Sequence, residues 1–229
     1  MLGITLIAGN ALLSAHESHQ PPTDLLASSR SALGAPASVP DLGSSRSPAT
    51  PPTKEIALTL DASQSKVHYT LGTTLHTVHG TFAFKRGTIS IDPETGAASG
   101  EIVADAASGE SGDSSRDQKM HKDVLESGRF TEVVFRPDRV EGRVPSEGAA
   151  NVQLHGTFLL HGSQHELTVP IQAELTRDHW KGGAKFRIPY IDWGLKSPSN
   201  FLLKADPVVD LELEMTGAVQ TAQRTAASR

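Results

Sequence analysis

The 229-residue chain has no cysteine. That absence removes disulfide frameworks, thiol catalysis, zinc ribbons and covalent c-type haem attachment together, and it suits an oxidising compartment. Aromatic residues make up only 5% of the chain and the net charge is −5. No basic stripe carries interleaved aromatics, so no nucleic-acid partner is expected. The apolar stretch from Leu2 to Leu13 is too short to span a bilayer, so no membrane span is expected. It resembles the hydrophobic part of a secretory signal, with Ala15 at the cleavage point, although the usual basic residues before it are missing. Residues 1–15 therefore read as a signal peptide, and the protein as periplasmic or secreted. Residues 16–54 are rich in Ser, Pro and Ala without apolar period, which reads as a disordered linker. Residues 55–217 are the folded part, large enough to bury a core without cross-links. Residues 218–229 read as a flexible tail.

From Glu55 onward, apolar residues recur with period two. Ile56, Leu58 and Leu60 alternate with polar neighbours, Asp61 to Gln64 makes a turn, and Val67, Tyr69 and Leu71 continue the pattern. Gly80, Phe82 and Phe84 share the next face. Gly87 is read as a break before Ile89 and Ile91. Asp92-Pro93-Glu94-Thr95-Gly96 is a strong turn signal, and Ile102 and Ala104 face one way after it. In the second half, Val152, Leu154, Gly156, Phe158 and Leu160 form one face. Gly162 to Gln164 turns the chain into Leu167, Val169, Ile171, Ala173 and Leu175. Phe186, Ile188 and Tyr190 give another strand, and Val209, Leu211, Leu213 and Met215 the last. About eight short antiparallel strands make an all-β barrel or sandwich, and a slow meander favours the barrel. Periodicity leaves open whether the inward faces close a dry core or line an apolar cavity.

One short helix is expected between the halves. Met120, Val124 and Leu125 form a stripe at helical spacing. Ser114 and Ser115 are placed to cap its start, Asp117 favours its first turn, and Gly128 is placed to end it.

Other motifs fall away. His165-Glu166 begins like H-E-x-x-H, but Val169 stands where the second His is needed. Gly109 to Gly112 is one residue short of G-x-S-x-G and lies in a polar loop. Asp113, Asp117 and Asp123 are too dispersed for a carboxylate pair. No enzyme activity, metal or cofactor is expected. The alternative that stays open is histidine-based metal or haem binding through His155, His161 and His165.

Several blocks resemble one family. Ser65-Lys66-Val67-His68-Tyr69-Thr70 followed by His79-Gly80-Thr81-Phe82 looks like an opening strand pair of the YceI-like family. Arg116-Asp117, His121, Val124, Leu125, Phe130, Val134 and Phe135 are similar to its central segment. Gly156 to Gly162 with Leu167-Thr168-Val169-Pro170 resembles its hairpin, and Asp192-Trp193-Gly194-Leu195 sits where it has a similar element. The resemblance implies a lipocalin-like barrel holding an isoprenoid lipid, a quinone or prenyl phosphate, for transport, storage or stress protection. The lining it implies is Tyr69, Phe82, Phe84, Phe135, Phe158, Leu160, Val169, Ile171, Phe186, Ile188, Leu211 and Leu213. Met120, Val124 and Leu125 would close one end, and Arg116 and Lys119 would meet the head group. Association as a homodimer stays open.

Overall fold

The computed structural model describes residues 53–199 and 201–224. The expected signal peptide, almost all of the expected linker, and His16 and His19 lie outside them. Nine strands form one antiparallel sheet: β1 (Thr53–Leu60), β2 (Lys66–Gly72), β3 (Thr77–Ile91), β4 (Ala98–Asp105), β5 (Glu132–Glu141), β6 (Gly148–Leu160), β7 (Ser163–Leu175), β8 (His179–Ile188) and β9 (Val209–Arg224). From β2 to β9 each strand pairs with the next, and β9 returns to β2, so the sheet closes as the expected eight-strand barrel.

The ninth strand does not widen the barrel. β1 and β2 both lie between β3 and β9, β1 against Thr88–Ile91 and Gly217–Arg224, β2 against Thr77–Ala83 and Asp210–Glu214. They are two segments of one stave, joined by the Asp61–Gln64 turn and not paired with each other. The Asp61 carboxylate accepts from the Ser63 amide and hydroxyl, which folds the extra residues outward. Buried Ser65 mends the ladder: its hydroxyl donates to the Thr216 carbonyl and accepts from the Thr216 amide.

Three further boundaries differ from the sequence reading. Gly87 does not break β3. A bulge between Phe84 and Arg86 shifts the register by one, so the buried face passes from Phe84 to Gly87, Ile89 and Ile91, as an inserted residue must do when side chains alternate. β9 continues to Arg224 and pairs with all of β1, so 218–224 is strand where a tail was expected. The β6–β7 turn consists of His161 and Gly162, with φ of 51° and 79°, the left-handed pair that a two-residue hairpin requires.

The barrel interior differs between its ends. At the β1 end, Ile56, Leu60, Leu175, Trp180, Met215 and Val219 pack together, with the Trp180 indole donating to the Thr59 carbonyl. At the other end the interior is hollow.

Candidate functional site

The hollow has a volume of about 660 Å³. Its walls are alternate residues of the strands: Val67, Tyr69 and Leu71 from β2, Val78, Phe82 and Phe84 from β3, and Leu154, Phe158 and Leu160 from β6. Val169 and Ile171 come from β7, Phe186 and Ile188 from β8, and Val209, Leu211 and Leu213 from β9. Cross-strand pairing sets them side by side, as with Val67 opposite Phe82 and Leu213, and Phe186 opposite Leu211.

The segment between β4 and β5 caps this hollow. Helix α1 (Ser114–Lys119) runs into a π turn, Met120–Val124. Its N-cap is Asp113, whose carboxylate accepts from the Arg116 amide, and not Ser114 or Ser115. An aspartate just ahead of the first turn satisfies an otherwise orphaned amide and suits the dipole. The chain turns left-handed at Glu126, with φ 46°, ahead of Gly128. The Leu125 amide donates to the Met120 carbonyl, five residues back. That wider turn lets Met120, Val124 and Leu125 all reach the cavity, and such π turns recur at functional sites. His121 pins the cap: one ring nitrogen meets the Gly109 carbonyl at 2.8 Å and the other the buried Ser127 hydroxyl at 3.1 Å. The carbonyl only accepts, so Nε2 carries the proton and Nδ1 accepts from Ser127.

Polar groups gather at the capped end. Arg116, Lys119, Asp105, Asp113, Ser115, Thr73 and His76 line the cavity there, beside Pro198, Leu203 and Ala205 from the loop between β8 and β9. Arg116 donates to the Ser111 hydroxyl and carbonyl, and Ser111 in turn donates to Asp117. Lys119 donates to the Pro198 carbonyl at 3.0 Å, strapping α1 to that loop. Burial raises the pKa of the Tyr69 phenol, with Ser111 offsetting part of the shift. Burial likewise raises that of Tyr190, whose hydroxyl donates to the Asp206 carbonyl. Away from this end the walls are hydrocarbon and aromatic carbon. A molecule occupying the space would put a polar group near α1 and an apolar tail along the barrel axis.

The twelve residues expected to line a cavity, the three expected to close its end, and Arg116 and Lys119 all border this one cavity. Val67, Leu71, Leu154, Val209 and Met215 border it too, and the alternation that selected their strand-mates carried the same signal for them. Leu195, Pro198 and Leu203 were missed because they sit in a loop with no period. The histidines do not converge. His155 faces outward to Glu141 and Thr168, and His161 sits in the hairpin turn against Phe130. His165 stacks on Trp193 at 4.1 Å. Among the described residues no three His, Asp or Glu side chains are grouped to hold a metal, which leaves the alternative metal reading without a site there.

Among solved structures, the chain is similar to BcnA from Burkholderia cenocepacia, with a TM-score of 0.58 and 15% identity over 69% of this chain and 99% of that one. It is also similar to a polyisoprenoid binding domain from Saccharophagus degradans implicated in plant cell wall breakdown, with a TM-score of 0.54 and 15% identity over 71% of this chain and 98% of that one. At such identity the likeness is one of fold. No curated protein matches the chain. The family model described as a YceI-like domain matches residues 58–217, from within β1 to just past the middle of β9, and on that match the chain belongs to the YceI-like family.

Proposed function

We propose that this protein binds an amphiphilic isoprenoid lipid non-covalently, and that it does so after export to the periplasm or beyond. The observation that carries the reading is the large cavity among the described residues, apolar along the barrel and polar at its capped end. At roughly 30 Å³ per non-hydrogen atom, a share taken from liquid water, its 660 Å³ admit about twenty atoms, or about four isoprene units. Transfer of such a chain from water is worth about 0.8 kcal/mol for each methylene buried. The polyisoprenoid binding domain among the structural neighbours supports the same ligand class. At the polar end Arg116 and Lys119 stand beside Asp105 and Asp113, a balanced set that suits either the carbonyls of a quinone or a phosphate. Arg116, Lys119 and Asp113 are engaged with Ser111 and with backbone, and Asp105 with Lys85, which favours a holder over a catalyst.

Native mass spectrometry of the full chain, followed by organic extraction, tests this directly. The expected result is a co-purifying or added isoprenoid bound one to one, lost in Leu211→Glu and Phe186→Glu variants that keep the native circular dichroism. A chain that stays apo when isoprenoid alcohols, quinones and prenyl phosphates are added would overturn the reading.

A further inference from the structure

The described part of the chain has three strongly exposed large hydrophobic residues, Leu75, Phe201 and Leu202, at 70%, 98% and 79% exposure. Leu75 is far in sequence from the adjacent Phe201 and Leu202, and the three lie on two joined loops. The Thr74 amide donates to the Lys204 carbonyl, the Lys204 amide donates to the Thr74 hydroxyl, and Thr73 bridges to Ala205. The inner sides of these same loops, through Thr73, His76, Pro198, Leu203 and Ala205, line the polar end of the cavity. The apolar tips therefore crown the polar end of the cavity, where exposed hydrocarbon would otherwise be a solubility cost. Two lysines stand at the same place: between Gly194 and Ala205 the charged residues are Lys196 and Lys204, with exposed Asp192 and Asp206 just outside that stretch. Both lysines are exposed, and Lys196 also reaches Glu126 at 3.5 Å.

Apolar tips flanked by lysines are the composition that settles into a lipid interface, the hydrocarbon entering the acyl boundary and the ammonium groups meeting anionic head groups. We propose that Leu75, Phe201 and Leu202 seat this end of the barrel on the surface of an anionic phospholipid bilayer. Lys196 and Lys204 face the head groups there. The proposal rests on the lipid-binding reading and supplies its route: an isoprenoid passes between bilayer and cavity without crossing water.

The test uses the full chain and vesicles of phosphatidylcholine, with or without phosphatidylglycerol, read by co-sedimentation. Two variants are compared, Leu75→Ser with Phe201→Ser and Leu202→Ser, and Lys196→Glu with Lys204→Glu. None of these side chains lines the cavity. Binding to phosphatidylglycerol vesicles is expected to fall by about tenfold or more in each variant, and to weaken with salt in the native chain. Farnesol uptake from vesicle-free solution, followed by native mass spectrometry, is expected to stay unchanged in both. If the native chain and both variants sediment equally, including through the apolar N-terminal stretch alone, the docking surface is overturned while the cavity reading stands. Failure of farnesol uptake with rim-dependent sedimentation intact would overturn the cavity reading and leave the docking surface. A concentration-dependent dimer abolished by the serine variant, with no vesicle binding, would assign the patch to a second copy of this chain and overturn the proposal.

Discussion

At the scale of single residues the cavity carries its own reporters. Tyr69 and Tyr190 are the only tyrosines in the chain, both border the cavity, and burial raises the pKa of each phenol. In the unfolded chain a phenol ionises at about 10. Above that pH the unfolded state loses its phenolic protons while the folded state keeps them, so the folded form binds more protons and stability falls as pH rises. The contribution is fully present below pH of about 10 and is lost through the window between the unfolded and the raised folded values. Titration of tyrosinate absorbance should therefore show both phenols ionising later in the native protein than in denaturant, and later still when an isoprenoid excludes the remaining water. Coincident native and denatured curves would mean that water reaches these phenols freely. Alternation alone placed Tyr69 inward. Tyr190 lies two residues past the end of β8 and keeps its inward position through its bond to the Asp206 carbonyl.

At the scale of elements, the strands were legible where one face is apolar and the other polar. The β6–β7 hairpin was readable almost residue by residue from Val152 to Leu175, because five inward positions on each strand exclude any one-residue slip, which would turn them all outward. The splitting of the first stave was not legible, since a turn between two alternating runs looks the same whether the runs pair or lie end to end. The Phe84–Arg86 bulge hid behind Gly87 for a similar reason. The helix start was misplaced by one residue because Asp113, Ser114 and Ser115 are all competent caps. The end of β9 was misread because Ala218–Arg224 is too plain in composition to signal a strand without its partner, β1. That partnership can be tested by removing it. A chain ending at Gly217 loses seven of the eight register pairs between β1 and β9, keeping only Leu60 with Gly217, and with them the burial of Val219. Urea denaturation should show a loss of about 2 kcal/mol or more, from Val219 and the freed backbone groups. A chain ending at Arg224 should match the full one, and equal stability of all three would return 218–224 to a tail.

For the molecule as a whole, sequence could say which residues face inward but not whether they meet. An eight-strand barrel sits at the size where side chains either fill the interior or leave room for one ligand, and this one does each at a different end. The residues that divide the two are Ile102, Leu154, Ile171 and Met215, which border both the large cavity and an apolar void of about 60 Å³ toward β1. They form the floor against which the tail of a bound isoprenoid would end. By the same share of roughly 30 Å³ per atom, the void holds about two carbons, and Ile171→Ala frees about three more, together about one isoprene unit. Ile171 is only half-buried, so the fold should survive the change. Competition between isoprenoid alcohols differing by one unit should then move toward the longer by about tenfold, well below the transfer energy of that many methylenes because part of the added space stays imperfectly filled. Ile171→Phe raises the floor and should move preference toward the shorter chain by a similar factor. Substitutions that weaken all chain lengths equally would mean that the tail never reaches this layer, and that the length of the bound lipid is set at the capped end instead.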